Sequence, residues 1–114
     1  MPLSPIDYLY HILDECNYLL QAVHDLPKSE FLGDPTLRRA FVRSLEIIGE
    51  ATKHLPEDLR QRHSVIEWRS IAGMRDRLIH AYFGVDYELV WSVITDKIPA
   101  LQQEVTYMIR EVSE

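Results

Sequence analysis

The sequence predicts an all-α protein, an up-and-down bundle of four to five helices, and three observations carry that prediction. Apolar residues recur at spacings of three and four along most of the chain. Cap-and-proline pairs at Ser4-Pro5 and Asp34-Pro35 mark helix starts. No stretch alternates with period two and no Gly/Asn hairpin signal occurs, so strands are not expected. Short connectors between such helices favour an antiparallel bundle.

The first helix starts with Ser4 as cap, Pro5 at the first helical position and Asp7 placed to answer the free amides of the opening turn. Ile6, Leu9, Leu13, Cys16, Leu20 and Val23 then form one apolar stripe, flanked by Ile12 and Leu19, and the helix stops near Pro27. Two stripes are wider than one packing partner needs, which suggests that part of this helix faces another subunit. The second long helix starts at Asp34-Pro35 and carries Leu37, Phe41, Ser44, Ile48, Ala51 and Leu55 before Pro56 ends it. Gly49 in its middle costs about 1 kcal/mol relative to Ala, a cost that a close helix crossing would explain. Residues 56–66 read as a polar connector with room for a short helical turn. A third helix is expected from about Glu67 to Phe83, stopped by Gly84 in a left-handed conformation. Asp86 caps the last helix, whose apolar positions Val90, Ile94, Ile98, Leu101, Val105, Met108 and Val112 keep the helical period. Pro99 kinks or breaks it near residues 95–99.

The 114 residues suit a single domain, residues 1–114, with one modest core. No apolar run is long enough to span a bilayer, and the N-terminus lacks a signal-peptide pattern, so a cytoplasmic protein is expected. The lone Cys16 sits in an apolar register and reads as a small core residue. A net charge of −6 speaks against a nucleic-acid partner until its distribution is considered. Residues 38–77 hold nine Lys and Arg against six acids, a locally basic stretch on an acidic body.

The chemistry concentrates between Arg75 and Tyr82. In a continuous helix His80 lies one turn beyond Asp76, whose carboxylate can fix the imidazole tautomer. Arg75 and Tyr82 share a face, whereas Arg75 and His80 are offset by roughly 140° and ~7.5 Å, too far apart to focus on one phosphate. Two copies related by a two-fold axis can bring Arg75 of one chain beside His80 of the other. An arginine fork and a histidine are the minimum for metal-free RNA cleavage, one gripping the phosphate and one moving the proton. The same residues also fit a solvated basic face with an interior histidine.

The string Arg75-x4-His80-x-Tyr82, set in Trp68 to Asp86 (WRSIAGMRDRLIHAYFGVD), resembles the signature of the HEPN superfamily and of its HepT-like family. Leu45 to Pro56 (LEIIGEATKHLP) and Val90 to Leu101 (VWSVITDKIPAL) resemble that family too, so the likeness covers nearly the whole chain. It implies a HEPN-like bundle that forms a homodimer, a composite ribonuclease site in the dimer cleft, and no cofactor. It also implies the toxin role in a toxin–antitoxin pair with a minimal nucleotidyltransferase antitoxin. Carried over, Arg75 and His80 are catalytic, Asp76 and Arg77 supporting, and Tyr82 the acceptor of AMP. Many relatives have Asn where this chain has Asp76, which adds negative charge beside the scissile phosphate. A non-catalytic scaffold that presents itself to the nucleotidyltransferase is the alternative.

Weaker constellations remain. Glu46, Glu50 and His54 follow one another at one-turn intervals and imitate a metal site, but the Glu-x-x-His pairs of di-iron bundles are missing. Glu46 or Glu50 can instead reach the basic third helix as a buried ion pair. Tyr8, Tyr10, Tyr18 and Trp91 read as packing or dimer surface rather than as base-stacking platforms.

Overall fold

The Asp7 carboxylate accepts hydrogen bonds of 2.9 Å from both the backbone N–H and the hydroxyl of Ser4, which fixes the chain at the start of the first helix. These bonds hold the Asp7 carboxyl below its ordinary value. From here the computed structural model describes residues 3–80 and 84–113. Among them, α1 spans Pro5–Val23, α2 Lys28–Gly33, α3 Pro35–Lys53, α4 Glu57–Arg62, α5 Trp68–Ala72 and α6 Met74–Leu78. A pair of two-residue strands follows, β1 (Ile79–His80) and β2 (Gly84–Val85), and then α7 (Tyr87–Asp96) and α8 (Ile98–Ser113). The protein is an all-α bundle, as expected.

Local signals set the starts of α1, α3, α7 and α8. Asp34 Oδ1 accepts from the Thr36 and Leu37 amides at 3.0 and 3.2 Å, and Asp86 Oδ1 accepts from the Leu89 amide at 3.0 Å. The predicted break falls between α7 and α8, with Pro99 in the opening turn of α8, where its missing N–H leaves no helix bond unmade. α1 ends at Val23, four residues before Pro27, because Asp25 turns the chain with a φ of 58°. The short helix α2 had no counterpart in the sequence reading. Its Phe31 is fully buried and stacks on Phe41, 5.0 Å between centroids, so it covers the core from outside.

Gly49 is explained by the crossing of α3 and α5. A Cβ there would lie 3.2 Å from the Ile71 carbonyl oxygen and 3.5 Å from that of Ala72. Only hydrogen lets the two backbones approach this closely.

The core joins α1, α3, α7 and α8 around Leu9, Ile12, Cys16 and Leu19 of α1, none of which is exposed. The stripe expected to be flanking, with Ile12 and Leu19, is therefore central; Ile6, Leu13, Leu20 and Val23 pack at its edge. Each fully buried Leu or Ile of this set contributes about 1.5–3 kcal/mol. Burial also pushes the Cys16 thiol up to about 12, which keeps it protonated and inert. Near the far end of α8, His63 is wedged between two carboxylates. Its Nδ1 lies 2.6 Å from Glu104 and its Nε2 2.8 Å from Glu111, while its carbonyl accepts from Trp68 Nε1 at 3.0 Å. That clasp ties the α4–α5 segment to α8. No described helix is long and apolar enough to cross a membrane.

The expected third helix, Glu67 to Phe83, is not one helix. Gly73 divides it into α5 and α6, and the chain leaves helical geometry after Leu78. β1 then pairs antiparallel with β2, Ile79 opposite Val85 and His80 opposite Gly84, so the expectation of no strands fails here. The Leu78 carbonyl accepts from the Asp86 amide at 2.9 Å and closes the loop. The β-branched pair Ile79 and Val85 suits strand geometry better than helix. Gly84 does adopt the left-handed conformation, φ 80°, but inside this hairpin rather than as a helix stop.

Candidate functional site

Ile71, Met74 and Leu78 follow one another at helical spacing on α5 and α6, and all three are buried. They press this segment onto α3 and α7 and force the residues between them outward. Arg75, Asp76 and Arg77 are consequently exposed.

Arg75 does not point into bulk solvent alone. Its Nε donates to Glu46 Oε2 of α3 at 3.0 Å, with the Arg75 side chain 60% exposed and Glu46 26%. Of the two acids considered from sequence, Glu46 is the one that reaches it, and the pair lies at the surface rather than buried. Because the contact uses Nε, neither terminal nitrogen of the guanidinium is hydrogen-bonded among the described residues. An arginine braced this way keeps its outer edge for an incoming anion.

Its neighbours are placed differently. Arg77 turns to the other side of α6, where a terminal nitrogen donates to the Ser70 carbonyl at 3.4 Å. There it borders a larger hollow of about 320 Å3, shared with Lys97 and Asp96 and separated from Arg75 by α6 itself. Asp76 is exposed. The helical argument that set His80 one turn above Asp76 does not hold, since the helix ends at Leu78 and His80 belongs to β1. The same exit removes the fixed angular offset that an unbroken helix would impose between Arg75 and His80. The His80 side chain and all of Tyr82 lie outside the described residues.

Of the imitation metal site, Glu46 is taken up by Arg75, and Glu50 sits 3.7 Å from Lys53 and 3.8 Å from His54. Among the described residues no group of three or more His, Cys, Asp or Glu could hold a metal ion. Sequence reasoning missed how Glu46 connects outward. On its far side an open groove between α1 and α3 carries Tyr8, His11, Arg43 and His54. The spacing of Arg43, Glu46, Glu50 and His54 along α3 was the signal that could have found this face.

Residues 12–108 match the family described as "Ribonuclease HepT-like". The chain is 50% identical over 108 residues to a protein of Caldanaerobacter subterraneus subsp. tengcongensis named "Putative RNase TTE0752", covering 95% of this chain and 96% of the relative. A protein of Methanocaldococcus jannaschii named "Putative RNase MJ0127" is 38% identical over 92% of this chain and 87% of its own length. One from Thermococcus cleftensis named "Probable ribonuclease HepT" is 41% identical over 90% and 93%. No solved structure matches the chain. A family match over residues 12–108, on a helical bundle that displays Arg75 on its surface, places this chain in the HepT-like ribonuclease family.

Proposed function

We propose that this HepT-like protein is a metal-independent endoribonuclease whose site is shared between two copies, Arg75 from one chain working with His80 from the other. The observation that carries the reading is the Arg75 guanidinium, braced through Nε by Glu46 and exposed along its outer edge. In the reaction the substrate's 2′-oxygen attacks the adjacent phosphorus as the P–O5′ bond breaks. A proton leaves the 2′-hydroxyl and one is delivered to the 5′-oxygen. His80 moves a proton, and Arg75 holds the phosphoryl oxygens as their charge grows. Asp76, next to Arg75, adds a negative charge that tempers phosphate binding, and Arg77, turned to the other side of α6, supports the site only as a nearby cation.

As a toxin, the protein is held in check by a minimal nucleotidyltransferase antitoxin that transfers AMP to Tyr82. The tyrosine oxygen bonds to the α-phosphorus of ATP and pyrophosphate leaves. The phosphate so placed competes with RNA for Arg75. A second reading, a non-catalytic scaffold for the nucleotidyltransferase, is favoured by the exposed Asp76 and the net charge of −6.

The test is complementation. Arg75→Ala and His80→Ala proteins each cut RNA about 10²–10³-fold more slowly in the presence of a chelator, and mixing them by subunit exchange restores activity, to about a quarter of the unaltered level, if the site is composite. Mixed subunits that stay that slow place both groups in one chain. Cleavage indifferent to both substitutions removes the assignment, and an unaltered protein that binds the nucleotidyltransferase but cuts nothing selects the scaffold.

A further inference from the structure

The groove between α1 and α3 begins where the Arg75 brace ends, because the Glu46 carboxylate belongs to both. It is open and has a volume of about 210 Å3. That is below the ~300–1,000 Å3 typical of sites for drug-sized ligands, and it suits one flat ring. The Tyr8 and His54 rings lie stacked, 4.7 Å between centroids and 8° apart in plane, with His11 edge-on to Tyr8 at 6.1 Å. Arg43 supplies a cation on one side, and Glu50 a largely exposed carboxylate on the other.

Stacked aromatic rings, a cation and an acceptor within one shallow groove are the chemistry that takes up a single-stranded nucleotide. The ring face accepts any base, the cation meets the backbone, and a carboxylate accepts only from N–H groups on the base edge. We propose that this groove is the subsite for the nucleotide next to the scissile phosphodiester, its base extending the Tyr8–His54 stack on an outer face. Glu50 favours bases that carry an exocyclic amino group; uracil offers only N3–H, set between two carbonyl oxygens that repel a carboxylate, so it is disfavoured at that position. The proposal rests on the ribonuclease reading, because Glu46 and Arg75 fix where the cut phosphate lies. It turns Glu50 and His54, which imitate a metal site in sequence, into specificity-determining residues.

The experiment compares His54→Ala and Glu50→Gln with the unaltered protein on RNA oligonucleotides that differ only in the base beside the cleavage point. Both side chains are at least half exposed, so both variants are expected to fold. His54→Ala is expected to raise KM about tenfold with kcat retained, the effect of removing one stacking partner. Glu50→Gln is expected to erase the discrimination against uracil. Unchanged KM and unchanged base preference in both variants, while Arg75→Ala remains slow, overturn the groove and leave the ribonuclease reading standing. Loss of cleavage in step with loss of the dimer, followed by light scattering, overturns it in favour of a subunit interface. If the unaltered protein cuts no RNA, a 2′-O-methyl oligonucleotide that cannot be cleaved decides: binding weakened by His54→Ala keeps the groove, and binding indifferent to it overturns it.

Discussion

Two polar clusters join distant parts of this chain, and they are built in opposite ways. His63 is 9% exposed, each ring nitrogen faces a carboxylate of α8, and its backbone carbonyl is taken by Trp68. Arg75 is 60% exposed and reaches Glu46 through Nε alone. A buried polar group with every atom answered holds structure, since leaving any of those atoms unpaired costs free energy. A charge braced at one atom and open at the others is poised for a ligand. The histidine with the best hydrogen bonds in the described structure is thus the structural one, and of the two clusters the one proposed for catalysis has the less protein around it.

The largest effects should separate the two clusters. Arg75→Ala is expected to lower the rate of RNA cleavage by about 10²–10³, the loss typical of a group that stabilises developing charge, while shifting stability by no more than about 0.5 kcal/mol. A melting temperature that falls along with the activity would merge the clusters and break the comparison. His63→Ala is expected to do the reverse, costing about 2 kcal/mol of stability, since a largely buried ring with two side-chain hydrogen bonds is lost. The surviving folded protein should cut RNA at the normal rate.

Gly49→Ala sharpens the comparison from the backbone. The added methyl meets the Ile71 carbonyl, which is main chain and cannot swing aside, so a net loss of about 1 kcal/mol is expected in spite of the better helix propensity. Because α5 must shift relative to α3, the Arg75–Glu46 contact should lengthen and cleavage should fall, a coupling that His63→Ala does not show. The smallest effect belongs to Asp7. Its carboxyl is depressed by the bonds from Ser4, so its contribution is present above the ordinary value of 3.8 and is lost as pH falls through the depressed one. Thermal melts of Asp7→Asn and the unaltered protein should differ at neutral pH and converge in acid; a gap that stays constant would contradict the assignment.

Much of the fold was legible from interactions within a few residues. The caps at Ser4, Asp34 and Asp86, the break before Pro99 and the burial of Cys16 each follow from neighbours no more than about a turn away. Gly49 was legible as a crossing, though not as a crossing with α5. The candidate site was read at the level of its residues. Its geometry was not, since a helical pattern through Phe83 hides the hairpin that takes the chain out of α6 at Leu78.

By itself the sequence determined the starts of α1, α3 and α7, the all-α class and the family, because those depend on spacing and order along the chain. Only the tertiary structure decided that Glu46 rather than Glu50 braces Arg75, that His63 is clasped by α8, and that Ile12 and Leu19 are central to the core. The bracing partner lies 29 residues from Arg75, and the two clasping carboxylates lie 41 and 48 residues from His63. Contacts over such separations are set by how helices cross, and no periodicity within one helix carries that information.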